Sequence, residues 1–416
     1  MRIYIKTFGC RVNQYETEIL REQLLAGGAA AAVKAWEKAD ICVVNTCTVT
    51  QEADEDALRL VRRIARRNPA ARLVVTGCLA SRAPEKIREA APAALIAGNE
   101  AKQALAARLG RGAAPDSAGI TGFHERSRAL VKAQDGCNMA CAYCIVPSVR
   151  PRMVCKPCGE IEREVLGLVE RGIREIVVCG VRLGRYLADD GSGRRVDFVA
   201  MLERLLSLPG DFRVRLSSLE VTDLTDRLLD LLARREGRLC PSFHVPLQSG
   251  SDPVLKRMHR WYTAAFYKDR VSALRRLHPE SALFADVMAG FPGETAEEFE
   301  ESFRFVSGLD FCGLHVFRYS RRPGTPAARY KGQVPEEEVM KRSSRLRELD
   351  LALRRDFARR AVGRTHRVLV ERRGSGKAEG VTGHFLRVRF DCDPGPGLVW
   401  ARVIAADGIR GVAQPV

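Results

Sequence analysis

The 416-residue chain has no uninterrupted apolar run of the roughly 18 residues that suggest a membrane span, so no bilayer crossing is expected. It also lacks signal-peptide organisation. The start, M-R-I-Y-I-K-T-F-G-C, opens directly on a strand pattern, which points to the cytoplasm. Thirteen cysteines are too few for a disulfide scaffold of this length, and odd in number. In a reducing compartment, clustered cysteines more often bind metal or react. Carboxylates are outnumbered, with 51 Asp and Glu against 68 Lys and Arg, a formal net charge of +17. That excess suits a polyanionic partner and would steer its approach, although a solubility device in an arginine-rich chain would look the same. Hydrophobic content of 46% is ordinary for a globular protein, and the length allows two or three domains with their own cores.

The most informative segment is Q-D-G-C-N-M-A-C-A-Y-C-I-V-P, in which Cys137, Cys141 and Cys144 form C-x3-C-x2-C. Three thiolates in one short loop can reach a single cubane cluster, and [4Fe–4S] clusters ordinarily take four cysteine ligands. No fourth cysteine belongs to this loop, so one iron would lack a protein ligand. An open coordination position marks a catalytic rather than a structural metal site. S-adenosylmethionine can fill such a position through its amino and carboxylate groups, which sets its sulfonium beside a reducible cluster. A zinc loop would usually need a second C-x2-C or a Cys/His pair at a set distance.

Residues 1 to about 100 alternate strand and helix. Arg2–Thr7, Ile41–Asn45 and Arg72–Thr76 read as strands, while Gln14–Ala26, Glu52–Arg67 and Pro84–Ala91 read as helices. That order predicts a doubly wound parallel sheet. Cys10, Cys47 and Cys78 each follow directly on one of those strands. Ligands of open α/β sheets bind at the strands' carboxyl ends, so three parallel strands would bring three thiols to one edge. Chance placement of small buried cysteines is the plainer reading, and it suits Cys42. The three strand-end thiols are better read as a second cluster with an open iron.

A small and polar stretch, 110–127, suits a linker. From Arg128 to about Tyr319, six strand-like runs alternate with helices, as in an incomplete parallel barrel whose active site lies at the strands' carboxyl ends. A charged helix follows, from Pro335 to about Val362. Glycine-broken strands close the chain, H-R-V-L-V-E, G-V-T-G-H-F-L-R-V-R-F, G-L-V-W-A-R-V and G-I-R-G-V-A, predicting a small β-barrel. Arginines interleaved with Phe385, Phe390 and Trp400 suit RNA backbone and base stacking there, although a solvated basic face has the same pattern.

The triplet, with Tyr143 before its last cysteine, resembles the radical S-adenosylmethionine superfamily. The whole chain resembles its methylthiotransferase family, from T-F-G-C-R-V-N-Q-Y-E-T-E to G-R-T-H-R-V-L-V-E. N-T-C-T-V-T at Asn45–Thr50 resembles the subgroup acting on tRNA threonylcarbamoyladenosine. The resemblance implies an α/β fold of three domains. These are an N-terminal doubly wound cluster domain (1–112), a partial (β/α)6 radical barrel (128–357) and an all-β TRAM barrel that binds RNA (358–416). It implies two [4Fe–4S] clusters, one on Cys10, Cys47 and Cys78 and one on Cys137, Cys141 and Cys144. Two S-adenosylmethionine molecules would be used, one methylating a sulfur held at the auxiliary cluster and one cleaved to a 5′-deoxyadenosyl radical. Together they would replace the C2 hydrogen of the modified adenine next to the anticodon by a methylthio group. The implied partners are a tRNA anticodon stem-loop and an electron donor such as flavodoxin or ferredoxin, with no membrane.

V-V-C-G-V-R-L-G, R-L-S-S-L-E, H-V-P-L-Q-S-G-S and D-V-M-A-G-F-P-G-E-T are similar to the family's cofactor-lining motifs. Carried over residue by residue, they make Tyr143, Gly180, Ser218, Glu220, Gln248, Gly290 and Gly293 cofactor-pocket residues. No side chain is implied as an acid or base; the cofactors carry the difficult chemistry. Arg150, Arg152, Arg387 and Arg389 are candidate substrate contacts, and Arg182 is a candidate partner for a threonyl carboxylate. The chain departs from the family's pattern at Pro151, where glycine is usual, and at Cys155, which makes a C-x2-C with Cys158 and could hold a further metal. Cys179 stands for a usual threonine. Isopentenyladenosine tRNA, a ribosomal-protein aspartate, and a non-catalytic iron–sulfur RNA-binding module are the alternatives.

Overall fold

The computed structural model describes residues 1–26, 28–102, 104–110, 119–124, 127–190, 192–234 and 237–416. Most of the expected linker, 111–118 and 125–126, lies outside the described residues. β1 (Arg2–Thr7), β2 (Ala31–Ala32), β3 (Ile41–Thr46), β4 (Arg72–Gly77) and β5 (Leu95–Ala97) form one parallel sheet, ordered β2-β1-β3-β4-β5. Every residue of β3 is buried, because helices cover both faces of the sheet. On one face Cys42 and Val44 pack with Leu58, Val61 and Ile64 of the helix Gln51–Arg67. On the other, Ile3, Val43 and Val74 pack with Leu20 and Leu24 of the helix Arg11–Leu25. Chain order reverses between β1 and β3, which opens a crevice at their carboxyl ends.

The second unit holds β6 (Arg128–Asp135), β7 (Val154–Cys155), β8 (Glu175–Gly180), β9 (Leu187–Asp189), β10 (Arg195–Asp197), β11 (Arg213–Leu216), β12 (Ser242–His244), β13 (Ala282–Ala289) and β14 (Gly313–Arg318). Strands β6, β8 and β11 pair in parallel, as do β12, β13 and β14. The two sheets meet through a single bridge, Val214 to Leu239, and through Leu219 N–H to His244 O at 3.0 Å. Six parallel strands thus make the expected open barrel, with its ladder interrupted at one seam. The antiparallel β7 and the β9–β10 hairpin are additions that the apolar pattern did not signal.

β15 (Thr365–Gly374), β16 (Lys377–Thr382), β17 (Arg387–Phe390), β18 (Gly397–Asp407) and β19 (Arg410–Pro415) close into a barrel, ordered β15-β16-β17-β19-β18. The segment G-V-T-G-H-F-L-R-V-R-F breaks at its second glycine, after Thr382. Phe385 adopts φ +70°, which turns its ring beneath the parallel barrel, 6.0 Å from Phe284 and 4.9 Å from the Arg215 guanidinium.

Arg213 donates to Arg367 O and Val381 O at 2.7 and 2.9 Å, and Arg215 donates to Gly383 O and Thr382 O at 3.0 and 3.1 Å. Both guanidiniums share Glu175, a buried carboxyl that they hold down at about 2 although burial pushes it up. Glu175 and Arg213 begin their strands, so the small barrel caps the amino end of the large one. The helix Glu336–Arg360 spans the two, with Leu346 in the large core and Ala358 in the small one. No helix among the described residues is long and apolar enough to cross a membrane.

Candidate active site

Glycine precedes a cysteine at three strand ends. Gly9, Gly77 and Gly136 all have positive φ, between +79° and +98°, a region that L side chains rarely enter. Space excludes a side chain as well. A Cβ on Gly9 would lie 2.6 Å from the Cys47 sulfur, one on Gly77 would lie 2.3 Å from Thr46 O, and one on Gly136 would lie 1.8 Å from Arg152 O. Each glycine reverses the chain at the end of a strand and hands the next cysteine to the crevice.

Cys10, Cys47 and Cys78 line one cavity, and each sulfur lies within electrostatic reach of another of the three. Cys137, Cys141 and Cys144 are likewise mutual neighbours in their loop. The loop is pinned by Cys137 N–H to Arg150 O and Ala142 N–H to Met258 O, at 3.2 and 2.9 Å. Pro151 is accommodated there, exposed between the carbonyl that pins Cys137 and the carbonyl that packs on Gly136. Burial pushes the Cys47 thiol up to about 11 and the Cys144 thiol up to about 12, so metal binding would release protons.

Both triplets fit a cubane cluster by donor chemistry. They offer soft thiols, three each, with N–H groups aimed at the sulfurs. Met139 N–H lies 3.4 Å from the Cys137 sulfur, Asn99 Nδ2 lies 3.5 Å from Cys78, and Arg260 Nη1 lies 3.3 Å from Cys141.

The cavity, about 440 Å³, runs from Cys10, Cys47 and Cys78 past Ile145 and Val146, which follow Cys144, and into the parallel barrel. Arg215 and Phe385 close its far end. That volume suits a small organic ligand such as a purine nucleoside.

Gly180 and Ser218 line the cavity. Ser218 Oγ is 2.6 Å from His244 Nδ1, and His244 Nε2 and His315 Nδ1 lie 2.8 and 3.2 Å from Asp286 Oδ1. Burial pushes the Asp286 carboxyl up, yet the two imidazoles hold it down at about 2. Glu220 is ion-paired with Arg260, the residue that contacts the Cys141 sulfur, so it serves the cluster loop through that arginine. Tyr143 packs with Met258 and Phe291. Gln248, at φ +73°, exchanges backbone hydrogen bonds with Asp286 and Met288.

Other expected residues are placed differently. Gly290 serves packing, since a Cβ there would meet Val339 of the long helix at 2.4 Å and its N–H is held by Glu294. Gly293 N–H is taken by Gly332 O at 2.7 Å. Neither backbone N–H is free for a cofactor. Arg150 lines the cavity and also clamps the first two units together. Its guanidinium, 5% exposed, donates to Glu16, Asp135 and Asn13 at 2.7–2.8 Å. Arg182 is buried 3.8 Å from Asp223 and lies over the Trp261 ring, on the side of Cys137, and does not line the cavity. Arg152 is exposed, 3.6 Å from Glu100; Arg387 is exposed on β17; and Arg389 pairs with Asp391 at 2.9 Å. Cys155 and Cys158 do not act together: the Cys155 sulfur accepts from Leu187 N–H at 3.3 Å, while Cys158 is packed in the core.

Sequence reading passed over Arg11, Arg260 and the His244–Asp286–His315 group. The recurring Gly-Cys step was a usable signal for the strand ends. For Arg260 no local pattern existed.

Residues 131–306 match the Radical SAM superfamily, and residues 2–98 match Uncharacterized protein family UPF0004. Solved structures of similar fold include the radical S-adenosylmethionine methyltransferase TsrM from Kitasatospora setae, with a TM-score of 0.55 at 15% identity, covering 78% of this chain and 76% of that one. The chain is thus a radical S-adenosylmethionine protein. It is 36% identical to the threonylcarbamoyladenosine tRNA methylthiotransferase MtaB of Thermotoga maritima, over 89% of this chain and 86% of the relative. It is 35% identical to MtaB of Bacillus subtilis, over 85% and 81%. It is also 34% identical to the tRNA-2-methylthio-N(6)-dimethylallyladenosine synthase of Novosphingobium aromaticivorans, over 89% and 86%. The chain belongs to the radical S-adenosylmethionine methylthiotransferase family.

Proposed function

We propose that this protein adds a methylthio group to C2 of N6-threonylcarbamoyladenosine next to the anticodon of tRNA, in the cytoplasm. The observation that carries the reading is the single cavity. Cys10, Cys47 and Cys78 form one wall, the chain after Cys144 forms another, and the space of about 440 Å³ is large enough for a nucleobase. The cofactors, two [4Fe–4S] clusters and S-adenosylmethionine, supply sulfur, methyl group and radical when bound at Cys10/Cys47/Cys78 and Cys137/Cys141/Cys144. The chain's own residues hold and shield. Gly9, Gly77 and Gly136 aim the thiols. Arg260, steadied by Glu220 and by Tyr262 Oη at 3.2 Å, places positive charge against the Cys141 sulfur. Phe385 lines the far end of the cavity.

The adenosine lies in a single-stranded anticodon loop and is splayed out at modest cost. The closed C-terminal barrel is read as a TRAM domain, with exposed Arg387 and Trp400 meeting the RNA of the anticodon stem-loop. A small redox protein such as flavodoxin or ferredoxin is the proposed electron donor. Of the earlier site residues, Tyr143, Ser218, Glu220 and Gln248 are retained beside the cofactor.

Mass spectrometry of total tRNA nucleosides from a strain lacking the gene tests this. Loss of 2-methylthio-N6-threonylcarbamoyladenosine, with its unthiolated precursor accumulating, is expected. Loss of the methylthio isopentenyl nucleoside instead would overturn the substrate assignment.

A further inference from the structure

Among the described residues four arginines line the cavity, and three of them are occupied. Arg150 is held by Glu16 and Asp135, Arg215 by Glu175, and Arg354 by both oxygens of Asp350 at 2.8 and 2.9 Å. Asp286 is the acidic residue lining this cavity, and His244 and His315 already engage it. The fourth arginine is Arg11, the first residue of the helix Arg11–Leu25 and the neighbour of Cys10. Among the described residues its guanidinium makes no hydrogen bond and no ion pair, although it is half-buried and within electrostatic reach of Cys179, Arg215 and Glu175. Leaving a desolvated cation without a partner is costly unless a ligand supplies the anion.

We propose that Arg11 is an anion subsite that receives the carboxylate on the N6 substituent of the substrate adenine. This rests on the threonylcarbamoyladenosine reading above and gives it a physical basis. A planar guanidinium takes a carboxylate through two parallel hydrogen bonds, a geometry that a neutral N6-alkyl group cannot satisfy. Because Arg11 follows Cys10 directly, the subsite is built on the wall that carries the Cys10 thiol. Anchoring the N6 substituent there fixes how the purine ring lies against that wall. The role replaces the one expected of Arg182, which lies outside this cavity beside Asp223.

The test uses the full-length reconstituted enzyme and two anticodon stem-loop RNAs. One carries N6-threonylcarbamoyladenosine, and the other its carboxamide analogue. Wild type is expected to bind the carboxylate RNA about ten- to a hundredfold more tightly. Arg11→Gln should erase that ratio by weakening only the carboxylate RNA, and Arg11→Lys should restore part of it. Iron content is measured on each variant, since Cys10 adjoins the site. Equal weakening on both RNAs, or an unchanged ratio, overturns the subsite and leaves the substrate reading intact. Wild type that ignores the threonylcarbamoyl RNA but modifies an isopentenyl RNA overturns both.

Discussion

The two cysteine triplets present the same donors by opposite means. Cys137, Cys141 and Cys144 belong to one loop, so their proximity is local and survives wherever the loop does. Cys10, Cys47 and Cys78 come from the ends of β1, β3 and β4, and only the parallel ladder brings them together. One site is written in spacing and the other in topology. The topological site therefore depends on the packing of the whole N-terminal sheet, and on how that sheet is held against the barrel.

The largest effect should come from the ligands. Cys47→Ser should remove one cluster, halving iron content, and abolish methylthio product while cleavage of S-adenosylmethionine continues. Cys141→Ser should abolish cleavage itself. Iron analysis and detection of 5′-deoxyadenosine read the two apart, and equal loss of cleavage in both variants would deny the division of labour.

Next comes the clamp between the units. Glu16 gathers Lys102, Lys132 and Arg150, with contacts of 2.6–2.9 Å. Burial pushes its carboxyl up, but these cations hold it well below the ordinary carboxylate range. Glu16→Ala would strand Lys102 and leave Lys132 and Arg150 to share Asp135, and should cost about 3–5 kcal/mol in denaturant unfolding. A depressed carboxyl stabilises the fold fully above its unfolded value, near ~4.3, and loses that contribution as pH falls toward the folded value. The wild type should therefore lose stability below about pH 4.3 more steeply than the variant. Iron should fall first at the Cys10/Cys47/Cys78 site, because Glu16 lies on the helix that follows Cys10.

Smaller is the effect of Gly77→Ala. Forcing a Cβ into that positive-φ turn costs on the order of 1–3 kcal/mol in backbone strain alone. Its close approach to Thr46 O adds to this. Iron titration should show weakened loading at the sheet-edge site with the loop triplet unaffected. A matching loss at both sites would mean that they are not built independently.

Much of the fold was legible because periodicity reports burial directly. The apolar run at Ile41–Asn45 suited a strand covered on both faces, and cysteine after each strand located the crevice edge. The ion pairs of Arg150 and Arg182 were not legible, because an arginine beside a motif reads as a substrate contact while its carboxylate partners lie far away in sequence. Glu16, which holds Arg150, is on the first helix of the chain. The place of Phe385 was not legible for the same kind of reason, since its ring contacts come from β11 and β13.

The sequence by itself determined the main strands and helices, the six thiols and their chemistry, because those depend on residue type, spacing and local turn geometry. Tertiary structure alone decided which charges are spent. Arg150 and Arg215 are neutralised by carboxylates from other elements, and Arg11 is left facing the cavity. Whether a cation is free depends on what surrounds it in space, and spacing along the chain does not carry that information.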